Sequence, residues 1–337
     1  MKEGYFYKKL LENKVQCRTC AHFCTVSPGE RGKCGIRKNV DGKLYSLVYG
    51  KAAALSIDSM EKKPFFNFMP GSTTLSFGTV GCPFSCKNCQ NWEISQGPKE
   101  GGVMEGEDIS PEEIVEMAKE RNISSISYTY TEPTGFLEYA LDTMKLAKER
   151  GLKNCFVSQG FMSPDSVQAV IPYLDAVNID IKSFDDEFYK NNCGGRLQPV
   201  LDSVRKIKEA GVWVEVTTLI IPTLSDSEKM FRQISDFIYD ELGQETPWHI
   251  SRFSGSISWK LKHLPETPED TIKKAYETGK SAGLRYVYAG NLPGSSMENT
   301  YCPECETLCI ERSGFFVVRH DGEGSKCPGC GFGLDIR

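Results

Sequence analysis

The chain has 337 residues, 39% hydrophobic and 25% charged, enough apolar material for one large α/β domain with appendages or for two domains, and too much for a disordered chain. Its net charge of −5 argues against a protein built on broad electrostatic capture of nucleic acid. No stretch approaches the roughly 18 apolar residues of a membrane span, and the first residues carry no signal-peptide run, so a soluble cytoplasmic protein is expected.

Twelve of the fourteen cysteines sit in three tight groups, with only Cys155 and Cys193 outside them. In a reducing compartment such spacing reads as metal sites rather than disulfides. The first group opens a cysteine-rich module over residues 1–72. Cys17, Cys20, Cys24 and Cys34 either close a structural zinc site or hold an iron–sulfur cluster, with His22 as a substitute ligand. Residues 42–49 predict a hairpin in the same module.

Residues 73–290 alternate strand and helix patterns. The β-rich runs fall at 73–80, 124–130, 154–159, 176–182, 213–221, 248–253 and 285–289. Ser110-Pro111-Glu112-Glu113 sets a cap, a first-turn proline and two acids against a helix dipole, and Ser163-Pro164-Asp165 and Thr267-Pro268-Glu269-Asp270 repeat the device. Gly151 and Gly211 follow helix ends. Six or seven β-α units in series predict α/β architecture with a parallel sheet and outer helices. The count falls short of eight, so an incomplete (βα)6 TIM-like barrel is expected, with chemistry at the carboxyl ends of its strands.

Cys82-Pro-Phe-Ser-Cys86-Lys-Asn-Cys89 lies just after the first of these strands, at that edge. Three thiolates at this spacing bind three irons of a cubane cluster and leave the fourth without a protein ligand, the open position of a reactive site. The spacing also fits a zinc knuckle short of a ligand, or an electron-transfer cluster completed by a distant cysteine. In residues 291–337, Cys302-Pro-Glu-Cys305 and Cys327-Pro-Gly-Cys330 are separated by 21 residues and read as a zinc ribbon, with a rubredoxin-like iron site as second choice. So short a segment needs a metal to fold. Residues 314–319 predict its strand, and Cys309 is surplus.

The central motif and its place resemble the radical S-adenosylmethionine superfamily. The resemblance extends over residues 17–253 through Cys17-Arg-Thr-Cys20-Ala-His-Phe-Cys24 with Gly32-Lys-Cys34-Gly35, Glu61-Lys-Lys-Pro64, Cys89-Gln-Asn-Trp92, Tyr130-Thr-Glu-Pro133, Asp180-Ile-Lys182 and Trp248-His-Ile-Ser-Arg-Phe253. The sequence is similar to the branch containing pyruvate formate-lyase activating enzyme, and most of all to the AmmeMemoRadiSam system radical enzymes, found alongside Memo-like and AMMECR1-like proteins. The resemblance implies that Cys82, Cys86 and Cys89 ligate a [4Fe–4S] cluster. It further implies that S-adenosylmethionine binds the open iron, and that an electron from ferredoxin or flavodoxin yields a 5′-deoxyadenosyl radical. Glu132 then matches the contact to the cofactor's ammonium. Asp180 and Lys182 match a pair near the cofactor, Ser158 a further contact, and His249 a histidine by the adenosine.

Two positions depart from the family pattern: Asn88 stands where an aromatic residue is usual, and Ser158-Gln159-Gly160 lacks an expected asparagine. Structural readings stand beside the functional ones. Asp180 and Lys182 also fit a buried ion pair, His249 a satisfied core histidine, and Glu132 a strand-ending residue. Two rival functions remain open. One is a glycyl-radical-enzyme activase acting on a partner protein. The other is a metal-stabilised RNA- or protein-binding module using the ribbon and the basic stretch 182–205.

Overall fold

The computed structural model describes residues 1–292, 294–321 and 325–337. All seven runs read as strands form strands. Thr73–Gly78, Ser125–Tyr128, Lys153–Ser158, Ala176–Asp180, Trp213–Ile220, Trp248–Arg252 and Val287–Gly290 lie side by side in chain order, every neighbouring pair parallel. Ala54–Ser59 pairs antiparallel to Thr73–Gly78 and completes an open eight-stranded sheet. The stretch expected to belong to the N-terminal module thus supplies a sheet edge. Helices Pro111–Glu120, Leu137–Glu149, Pro164–Val170, Gln198–Glu209, Glu228–Phe237 and Glu269–Ser281 make the six crossovers.

Strand alternation sorts the two faces of the sheet. Phe77, Tyr128 and Phe156 face the helices. Phe77 packs on Phe136 and Tyr139 at ring separations of 5.8 and 5.1 Å. The opposite face is mixed: Cys155, Ala176 and Trp213 pack on Phe65 and Phe68, while Ser76, Ser127, Asn178, Glu215, Thr217 and His249 are buried polar residues of the same face.

Two of the three predicted helix starts behave as read. Ser110 accepts from Glu113 N while the Glu113 carboxylate returns the bond, and Ser163 accepts from Ser166 N. The third differs. The helix begins at Glu269 with Pro268 as its N-cap residue, and Thr267 caps nothing, because its hydroxyl donates to Ile220 O and accepts from Phe253 N. A nearer carbonyl outcompeted the helix end.

In the N-terminal module, Arg37–Val40 and Lys43–Ser46 form the predicted hairpin through Asp41-Gly42, both at positive φ, the geometry that an Asp-Gly turn suits. Arg37 pins the module to the central helices by a buried two-toothed pair with Glu138, at 2.9 and 2.6 Å. The C-terminal module is a small antiparallel sheet of Thr300–Tyr301, Leu308–Ser313 and Phe316–His320. It docks beneath the amino ends of the central strands. Arg312, fully buried, donates to Phe66 O at 2.7 Å and stacks over the Phe66 ring at 4.3 Å. Among the described residues, no helix is long and apolar enough to cross a membrane.

Candidate active site

The loop bearing Cys82, Cys86 and Cys89 leaves the carboxyl end of Thr73–Gly78 and is strapped from several sides. Ser85 N and Lys87 N donate to Cys193 O and Asn192 O at 2.8 and 2.9 Å, and Trp259 N donates to Cys89 O at 3.1 Å. The Lys99 ammonium reaches Phe84 O at 2.6 Å. Gly195 is required by this packing, since a Cβ there would stand 2.3 Å from the Phe84 ring. The three thiols are buried or half-buried.

Neighbouring strand ends bring the other residues in. Glu132 is 1% exposed, and its Oε1 accepts from Thr134 N, Thr134 Oγ1 and Ser158 Oγ at 3.2, 2.6 and 2.8 Å. Among the described residues its Oε2 accepts from Gln159 N alone, at 2.7 Å, which leaves one lone pair for a further donor. Burial pushes the Glu132 carboxyl up, against the hydrogen bonds of Thr134, Gln159 and Ser158. Ser158 Oγ also accepts from Gly160 N at 3.0 Å, so its hydroxyl shapes the turn. Gln159, which follows it, extends Nε2 to within 3.8 Å of Cys82 Sγ. Lys182 Nζ meets Asp180 Oδ2 at 2.9 Å. Burial opposes the Lys182 charge, but Asp180, Cys86 and Cys193 outweigh it and hold the ammonium well above its ordinary range.

One further residue, which no motif singles out, stands here. Cys193 is buried against Cys86, and this contact, ahead of burial, raises the Cys86 thiol and lowers that of Cys193. Its isolation from every cysteine group hid it. Asn88, the departure from the family pattern, has its Oδ1 taken by Asn192 Nδ2 at 2.8 Å.

The residues fit an iron–sulfur cluster with an organic ligand. Burial pushes the Cys82 and Cys89 thiols up, so a bound cation would be what stabilises their thiolates there. Gln159 Oε1, Asn192 Oδ1 and Thr217 Oγ1 are buried around the site and have no hydrogen-bond partner among the described residues.

His249 goes elsewhere. The resemblance sets it beside the adenosine, but it is the second residue of its strand and turns to the amino-end side. There its Nε2 lies 2.6 Å from Glu215 Oε2, and its ring packs on Phe66 and Tyr288 at 4.8 and 5.3 Å. It is the satisfied core histidine. Glu215 explains why: this fully buried carboxylate also accepts from Phe66 N, Asn67 N and Trp213 Nε1, each at 3.0 Å.

Of the flanking cysteines, Cys302, Cys305, Cys327 and Cys330 bring their sulfurs within 4.8 Å of one another. The closest approaches, 3.7 Å for Cys302 with Cys330 and 3.5 Å for Cys305 with Cys327, are near the edge of a tetrahedron around one ion, about 3.8 Å for metal–sulfur bonds of 2.3 Å. Cys309 stands beside this group without joining it and donates to Thr307 O. Cys17, Cys20, Cys24 and Cys34 surround a separate cavity beside the central loop, where His22 Nε2 lies 3.0 Å from Pro83 O.

Residues 77–238 match the family model of the radical SAM superfamily. The chain is 44% identical to the uncharacterized protein MJ0808 of Methanocaldococcus jannaschii over 100% of its own length and 99% of that protein. It is 24% identical to the pyruvate formate-lyase-activating enzyme of Clostridium pasteurianum, covering 61% of this chain and 89% of that one. Among solved structures it shares its fold with Streptococcus suis SuiB bound to the precursor peptide SuiA, at a TM-score of 0.50 and 14% identity over 69% of this chain and 51% of that one. The chain belongs to the radical SAM superfamily, as an enzyme related to pyruvate formate-lyase activating enzyme.

Proposed function

We propose that Cys82, Cys86 and Cys89 hold a [4Fe–4S] cluster whose open iron takes S-adenosylmethionine, and that one-electron cleavage there supplies a 5′-deoxyadenosyl radical for hydrogen abstraction from a substrate. The observation that carries this reading is the convergence of Glu132, Gln159, Asp180 and Lys182 on the cysteine loop from three successive strand ends. Glu132 holds Ser158 and Gln159 in place and offers its spare Oε2 lone pair to an ammonium. The Asp180–Lys182 pair presents a carboxylate and an ammonium on one face, suited to ribose hydroxyls and to a carboxylate. The electron comes from ferredoxin or flavodoxin.

The same reading keeps the curved, incomplete (βα)6 barrel over 73–290, the cysteine-rich module over 1–72, a zinc ion in the ribbon of 291–337 and a cytoplasmic setting. It also keeps Memo-like and AMMECR1-like proteins as companions. Anaerobically reconstituted protein with dithionite should convert S-adenosylmethionine to 5′-deoxyadenosine, and Cys86→Ala should abolish this. No product from the wild type, or undiminished turnover in the variant, overturns the reading.

The relatives named activating enzymes favour a second reading, in which the substrate is a backbone glycine of a partner protein. A glycyl-radical signal appearing on a partner incubated with the reduced enzyme would select it.

A further inference from the structure

We propose that Cys17, Cys20, Cys24 and Cys34 hold a second [4Fe–4S] cluster, ligated by all four cysteines, rather than zinc. The chain itself supplies the comparison. Four thiolates on one zinc ion must crowd to its tetrahedral edge, whereas four thiolates around a cubane stand further apart, each on its own iron. Among the described residues, only the C-terminal four cysteines bring their sulfurs within 4.8 Å of one another. The central three do not, and neither do the N-terminal four.

The N-terminal thiols are nevertheless neighbours. All four line one cavity, closed by Thr19, His22, Arg37, Pro83 and Gly135. Four sulfurs that line one shared space, with no three of them within 4.8 Å of one another, are spaced for a larger inorganic group rather than for a single ion. The local sequence agrees. Cys17-x2-Cys20-x3-Cys24 is the central Cys82-x3-Cys86-x2-Cys89 spacing reversed, and it lacks the Cys-Pro-x-Cys turns of the ribbon.

Position assigns the role. A fully ligated cluster has no open iron for an organic ligand, so it stores or passes an electron. Its cavity shares Pro83 with the loop that carries Cys82, and the imidazole of His22 joins the two through Pro83 O. Cys20 lies equally close to the strand-end turns, pairing with Met162, while Ala21 N donates to Phe161 O at 3.2 Å. An electron delivered by an external low-potential carrier would reduce this cluster, which is reoxidised as it hands the electron to the one beside it.

Metal analysis of anaerobically purified wild type, read beside the central-cysteine variant, separates the alternatives. The expected content is about eight irons, eight labile sulfides and one zinc per chain. About four irons with two zincs, all of the iron being lost in Cys82→Ala/Cys86→Ala/Cys89→Ala, overturns the proposal. In Cys82→Ala/Cys86→Ala/Cys89→Ala about four irons should remain, with a reduced-cluster electron paramagnetic resonance signal that S-adenosylmethionine leaves unchanged. Iron lost entirely from a variant that keeps its wild-type circular dichroism also overturns it. Should the central cluster instead be the false assignment, that triple variant would carry the same iron as the wild type, so the two readings fail distinguishably.

Discussion

Asp58 shows how two motifs of the sequence become one site. Lys62 and Lys63, from Glu61-Lys-Lys-Pro64, reach its two oxygens at 2.7 and 2.8 Å, and Tyr130, from the motif that contains Glu132, donates to it at 2.8 Å. Burial alone would raise this carboxyl, but the three donors outweigh it and hold it well below its ordinary value of 3.8. The folded state therefore binds fewer protons than the unfolded one. The contribution is complete above about pH 5 and drains away as the pH falls below that towards the folded value. The difference in thermal midpoint between wild type and Asp58→Asn, measured on cluster-free protein, should shrink steadily from about pH 5 to pH 3. A constant difference would show that the lysines do not set this carboxyl. Residue types at such sites were legible in the sequence, and their partners were not. Lys63 and Tyr130 announce themselves as motif members, but nothing along the chain says that Asp58 joins them.

Element positions were the most legible part of the sequence. Apolar runs and proline-marked starts placed all seven parallel strands, because each reports local burial and local backbone geometry. Contacts between elements stayed hidden. His249 reads as a cofactor ligand until Trp213–Ile220 is packed beside it and Glu215 takes its ring nitrogen. Cys193 reads as a stray until its turn straps the cysteine loop. Glu215 is the main joint between the sheet and residues 66–67, with four donors on one buried carboxylate. Glu215→Ala should orphan them all and cost about 3–5 kcal/mol in denaturant unfolding. A loss under about 1 kcal/mol would mean that the segment is held by apolar packing alone.

Across the whole molecule, support and chemistry lie at opposite poles. The carboxyl ends carry the central cysteine loop and the N-terminal thiols. The amino ends are closed by Phe65, Phe66 and Phe68, by Glu215, and by the C-terminal module with Arg312 over Phe66. Asn67 Nδ2 and Arg285 both hold Asp335, at 2.9 Å each. Because the C-terminal module is part of this floor, Cys305→Ser/Cys330→Ser, which removes two thiols of its proposed metal site, should lower the thermal midpoint by roughly 5 °C or more. It should also speed hydrogen exchange in residues 60–69. Unchanged exchange there would make the ribbon a passive appendage. The separation of poles bears on the proposed cluster as well. The aromatic floor and its buried Glu215 carboxylate are held by protein groups alone. Metal lost from the proposed site at the rim would therefore leave a shaped vessel behind, and cluster-free protein should keep its fold and take iron and sulfide back at the same thiols.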